Sequence, residues 1–149
     1  MEIFKKELQT DIRPFVLSSC ALDLELIKNY PGGLEACVND IVNNIGKTTY
    51  FYSVRDDDGQ VVGYFAQAIP INEVSVLEAF LLRKGFRTPE CVKLFWDLIK
   101  SSFESDIYIA IDEWNVKALN HLIKNEFVIQ NKVEYYGRKC ILLKFNYKG

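Results

Sequence analysis

Residues 74–99 read VSVLEAFLLRKGFRTPECVKLFWDLI, and the rest of the chain is arranged around them. The run from Val74 to Leu82 is mostly apolar without alternation and holds one carboxylate, Glu78. A half-exposed strand alternates; a continuous run of this length reads as a strand buried on both faces. A polar turn follows, with Arg83, Lys84, Gly85 and Arg87. Thr88 is then a natural N-cap and Pro89 suits the first helical position, where its missing N–H costs nothing. Val92, Phe95, Trp96, Ile99 and Phe103 recur at helical spacing, predicting a helix over 89–103. A buried strand that feeds a helix through a basic turn is a common way to hold an anionic cofactor.

Downstream, 106–111 reads as a short strand and 115–125 as a helix with Ala118, Leu119, Leu122 and Ile123 inward and Asn115 as N-cap. Two strands, 127–134 and 138–145, flank Tyr135-Tyr136-Gly137. The strand-helix-strand unit over 74–111 implies a parallel, right-handed crossover inside a mixed sheet. Upstream, strands at 49–55 and 60–69 are joined by Asp56-Asp57-Asp58-Gly59, a strong hairpin signal. Leu34, Cys37, Val38, Ile41, Val42 and Ile45 mark a helix that Gly46 caps. A helix over 21–29 ends at Tyr30-Pro31-Gly32-Gly33. Residues 2–8 alternate weakly as a first strand, and Thr10 and Asp11 suit the cap of a short turn containing Pro14.

At 149 residues, 49% of them hydrophobic, the chain has the size and composition of one folded domain over 1–149. A formal net charge of −2 argues against a general nucleic-acid binder. The four cysteines, Cys20, Cys37, Cys91 and Cys140, form no Cys-x-x-Cys pair, and there is a single histidine, so no metal site is expected. Each lies in or beside an apolar run, as free thiols of a reducing compartment do. The N-terminal stretch lacks a signal-peptide core and no run reaches membrane-spanning length. The expectation is a cytoplasmic protein without nucleic-acid or membrane partners.

The element order and three local motifs resemble the GNAT superfamily of acyl-CoA N-acyltransferases. VRDDDGQVVG at 54–63 is similar to the family's hairpin, with its acidic-Gly turn before an apolar pair and a glycine. Phe86-Arg87 resembles the aromatic-Arg that opens the pyrophosphate loop. Asn115-x-x-Ala118, followed by Lys124-x-x-Phe127, resembles the element on the family's late helix. Two departures stand beside these. Glu90 and Val92 occupy places where the family loop has small residues, and a register placing Gly85 on the first glycine does not restore the motif. Leu122 stands at the place of a tyrosine that often serves as general acid to the CoA thiolate, and Glu126 replaces a glycine.

The resemblance implies an α/β (α+β) domain with a mixed, mostly antiparallel sheet and helices on both faces. It implies transfer of an acetyl or other acyl group from acetyl-CoA or another acyl-CoA to an unknown amine. In that reading Glu78 is the base, taking a proton directly or through water; a carboxylate in an apolar run is raised in pKa and suited to the task. Backbone groups at Leu81, Leu82 and Arg83 hold the pantetheine arm, Arg87 and the N–H groups near Thr88 hold the pyrophosphate, and Asn115 touches the cofactor besides capping its helix. Glu73 is the second candidate base. Tyr64, Gln67, Tyr135 and Tyr136 are candidates for the acceptor side. His121 falls with Lys117 and Lys124 on the polar side of its helix and reads as solvated; Cys91 reads as packing and the Asp56–Asp58 run as solvated. Two alternatives stay open: a non-catalytic GNAT-like binding protein, and an interaction module acting as an oligomer, with a homodimer the simplest. A cleft splayed open beside strand 74–82 with a basic mouth favours acyl-CoA, and a filled one favours binding without catalysis.

Overall fold

The computed structural model describes residues 4–10, 13, 14, 16, 17, 24–44, 49–68, 75–135 and 137–148, and seven strands and four α-helices among them build the fold described below. The strands are β1 (Lys5–Gln9), β2 (Thr49–Arg55), β3 (Val61–Ala68), β4 (Ser75–Leu82), β5 (Ile107–Asp112), β6 (Phe127–Tyr135) and β7 (Arg138–Phe145). The helices are α1 (Leu24–Asn29), α2 (Gly33–Asn44), α3 (Pro89–Phe103) and α4 (Val116–Lys124). Predicted and observed elements agree to within a residue or two downstream of β2. Glu73, Cys20, Gly46 and Tyr136 lie outside the described residues.

The sheet order is β1-β2-β3-β4-β5-β7-β6. Every pairing is antiparallel except β4 with β5, which the α3 crossover makes parallel. Helices cover both faces. On one, Phe95, Trp96, Ile99 and Phe103 of α3 and Leu122 of α4 pack against Val62, Phe65, Leu77, Ile107, Ile109 and Leu143. On the other, Ile27 of α1 and Leu34, Cys37, Val38 and Ile41 of α2 pack against Phe51, Tyr64, Ala66 and Leu81. A strand between two such cores needs apolar side chains on both sides, which is why β4 reads as a mostly apolar run without alternation.

Pairing of β4 with β3 runs Gly63↔Leu82 to Ala66↔Ala79 and then jumps to Gln67↔Leu77. The residue left over is Glu78, so β4 carries a bulge at its one carboxylate. The bulge explains the side-chain pattern: Leu77 and Phe80, three apart, both face the α3/α4 core, while Ala79 and Leu81 face α1 and α2. Bulges bend and twist the strand that carries them. On the far side, β4 pairs with β5 only at Ser75↔Ile107 and Val76↔Tyr108, just before the bulge. A hydrogen bond from Ser105 Oγ to Ser75 Oγ (2.7 Å) closes that paired end. Beyond it β4 stays on β3 while β5 stays on β7 as far as Asp112, and the two halves of the sheet part.

Candidate active site

The parting of β4 and β5 opens a cleft of about 620 Å³ that runs through the sheet from one helical layer to the other. Glu78 to Leu82 form one wall and Ile109 to Asp112 the other. The α3/α4 side contributes Arg87, Val92, Lys117, Ala118, His121 and Lys124. The α1/α2 side contributes Tyr30, Cys37, Asp40, Ile41 and Tyr64, with Trp114 and Arg138 at its rim.

Net charge differs across the sheet. Arg87, Lys117 and Lys124 are exposed cations on the α3/α4 side. The opposite side holds a hydrogen-bonded cluster. The Tyr30 hydroxyl donates to Asp40 Oδ2 and accepts from Arg138 Nη1 (3.1 Å). Arg138 Nε lies 3.4 Å from Asp112 Oδ1, and the Cys140 thiol lies 3.7 Å from the same oxygen. Trp114 meets the Tyr30 ring edge-on at 5.5 Å. Burial and the hydrogen bond to Asp40 raise the Tyr30 pKa, so the hydroxyl stays protonated. Burial and the adjacent Asp112 likewise raise the Cys140 thiol, so it acts as a donor and not as a nucleophile.

The wall at β4 is a strand edge without a neighbour. Arg83 N–H donates to Val62 O on β3 (2.7 Å). Groups alternate along a strand, so the N–H and C=O of Leu82 and Phe80 turn away from β3, toward the cleft. Leu82 O already accepts from Arg87 Nε (2.7 Å). The helix start is also largely self-satisfied. Pro89 has no N–H, Thr88 Oγ1 accepts from Cys91 N–H (3.2 Å), and Thr88 O accepts from Val92 N–H (2.9 Å). In the 3₁₀ turn Lys84–Phe86, Phe86 N–H is bound to Arg83 O.

Of the residues predicted from the sequence, Glu78, Leu81, Leu82, Arg87 and Asn115 lie on the cleft wall, and one carboxylate oxygen of Glu78 is shielded from solvent. Asn115 caps α4 by accepting from Ala118 N–H (3.2 Å). Arg83 and Thr88 lie next to the wall and not on it. Tyr64 is on the wall, stacked on Phe51; Gln67 is not.

Two expectations are corrected. His121 is not solvated: its ring lies along Phe80 (centroids 6.1 Å, planes 19° apart) and its Nε2 accepts from Trp96 Nε1–H (2.9 Å). Helical periodicity assigns 121 to the polar side, but that side of α4 faces the cleft, which only the parted sheet creates. Asp56 is not solvated either. It is buried, and its Oδ1 accepts from the N–H groups of Asp58 and Gln60 (3.0 and 2.9 Å), bracing the β2–β3 turn. Tyr30, Asp40, Asp112, Trp114 and Arg138 were not singled out from the sequence. They come from four separate segments, and no local signal unites them. Among the described residues no group of side chains has metal-ligand spacing.

The overall fold of this chain is similar to that of solved acetyltransferases. An acetyltransferase of the GNAT family from Staphylococcus aureus Mu50 superposes with a TM-score of 0.69 at 14% identity, over 99% of this chain and 100% of that one.

This is the GNAT fold.

An acetyltransferase from Thermus thermophilus gives a TM-score of 0.69 at 15% identity, over 98% of this chain and 99% of that one. The spermidine N-acetyltransferase of Vibrio cholerae, in complex with CoA and spermine, gives 0.63 at 12% identity, over 97% and 95%. No protein-family model and no curated protein sequence matches the chain. Within the GNAT fold the departures read from the sequence have clear structural counterparts. Glu126, at the place of a glycine, has φ +74°, the left-handed region that glycine enters without strain. Leu122, at the place of the tyrosine, is fully buried in the α3/α4 core. Among the described residues no helix is long and apolar enough to cross a membrane.

Proposed function

We propose that the chain is an N-acyltransferase that moves an acetyl or other acyl group from acyl-CoA to an amine by direct attack. The observation that carries this is the parted β4–β5 pair. It leaves a strand edge open to an extended amide chain, in a cleft with three cations on one side of the sheet and Asp40 and Asp112 with Arg138 on the other. The pantetheine arm pairs with β4 at Phe80 and Leu82 as an added strand would. Its diphosphate lies toward Arg87, Lys117 and Lys124. The acceptor enters from the α1/α2 side, between Tyr30, Asp40 and Trp114. Glu78, held at the bulge where the two sides meet, takes the ammonium proton directly or through one water, and the neutral amine attacks the thioester carbonyl. Free thiols at Cys91 and Cys140 support a cytoplasmic setting.

The self-satisfied helix start favours a second reading, a GNAT-fold protein that binds without catalysis. One experiment separates the two. Calorimetry with acetyl-CoA detects binding that Arg87→Ala weakens. Ligand at about a hundred times its Kd stabilises the fold by about 2.7 kcal/mol, a rise in Tm of roughly 5–10 °C for a chain of this size. No binding at millimolar acetyl-CoA rules out the acyltransferase.

A further inference from the structure

The acyl-transfer reading assigns a base but leaves the departing sulfur without a donor. Leu122 is an apolar core residue. Among the other described α4 residues on the cleft wall, Lys117, Asn120 and Lys124 are exposed, and Asn115 Oδ1 is engaged in capping. His121 is half-buried and stacked on Phe80, two residues along β4 from Glu78. Its Nε2 accepts from Trp96, so the neutral ring carries its proton on Nδ1. Among the described residues no acceptor is paired with that Nδ1.

We propose that His121 is a catalytic residue that hydrogen-bonds the CoA sulfur through Nδ1–H as the acyl group leaves. This rests on the acyl-transfer reading above. In the step, Glu78 has passed the first ammonium proton to solvent; as the C–N bond forms, the attacking nitrogen gives its second proton to Glu78. The C–S bond breaks with its electron pair on sulfur, and solvent later returns a proton to the thiolate. His121 donates a hydrogen bond throughout and does not lose its proton. Burial, and the cations Arg87 and Lys124, lower its basicity, so the ring stays neutral and keeps the tautomer that Trp96 selects.

The test uses CoA itself and needs no acceptor. Thiolate absorbance of bound CoA is followed against pH in wild type, His121→Gln and His121→Asn, with ligand-free protein subtracted. Glutamine places an acceptor for Trp96 near the Nε2 position and removes the Nδ1 donor; asparagine places an amide N–H near Nδ1. At about pH 8 the thiolate fraction is expected to fall about tenfold in His121→Gln and to recover in His121→Asn, the change a charge-assisted hydrogen bond brings. Equal fractions in wild type and His121→Gln overturn the proposal and leave acyl transfer standing. Absence of CoA binding in wild type overturns both. Should His121→Gln fail to fold, a wild-type thiolate fraction no higher than that of free CoA overturns the proposal by itself.

Discussion

Glu126 shows how one residue can depart from its fold's habit and still be accommodated. Its φ of +74° crowds a Cβ against its own backbone, yet its carboxylate reaches Lys100 Nζ at 3.2 Å and Lys148 Nζ at 3.5 Å. Lys100 beside it, by hydrogen bond and by charge, holds the carboxyl below its ordinary pKa, so the pairing is present at neutral pH and lost on acidification. Surface pairs of this kind contribute little, because water and salt screen them. Relief of left-handed strain is the larger effect. Glu126→Gly is therefore expected to raise Tm by about 2–4 °C, read by thermal unfolding at pH 7. A fall in Tm would mean that the two lysines outweigh the backbone.

At the scale of elements, the decisive contact is between β3 and β4. Gly63 sits opposite Leu82, and a Cβ there would overlap the Leu81 carbonyl oxygen. The close approach fixes the register from Leu82 back to Ala79 and so places the extra residue at Glu78. Gly63→Ala must push the strands apart. It is expected to cost about 2–3 kcal/mol in denaturant unfolding, the range of an overpacked core, and to weaken acetyl-CoA binding because the β4 edge moves with it. An unchanged midpoint would show that β4 accommodates the methyl without shifting.

For the whole molecule, the sheet separates a cationic side of the cleft from one where two carboxylates share a single arginine, Arg138. Cations reach the cleft from α4 and the turn before α3, and carboxylates reach it from α2 and the end of β5. With most helix-start N–H groups already bonded, exposed side chains must carry the attraction for a diphosphate. Exposed charges are screened over about 10 Å at 0.1 M salt. The Kd for acetyl-CoA is accordingly expected to rise on the order of tenfold between about 50 and 500 mM NaCl, measured by calorimetry. S-acetyl-pantetheine, which lacks the phosphates, should show no such dependence. Equal salt dependence for both would place the attraction elsewhere.

The sequence by itself determined the elements and the site's central strand. Apolar periodicity marked the helices, Asp-Gly marked the β2–β3 turn, and a mostly apolar run with one carboxylate marked β4 and Glu78. These signals are local: they reflect burial and backbone geometry within a few residues. The tertiary structure alone decided the rest. The bulge at Glu78 appears only against its partner β3, because register belongs to a pair of strands. The cleft exists because β4 and β5 share two rungs and then follow different neighbours. That cleft turned the polar side of α4 inward, which is why His121 lies against Phe80 and Trp96. It also brought together Tyr30, Asp40, Asp112 and Arg138, residues whose hydrogen bonds span up to 108 positions of chain. Periodicity reports which side of an element is apolar; what the other side faces is settled only when the sheet closes around it.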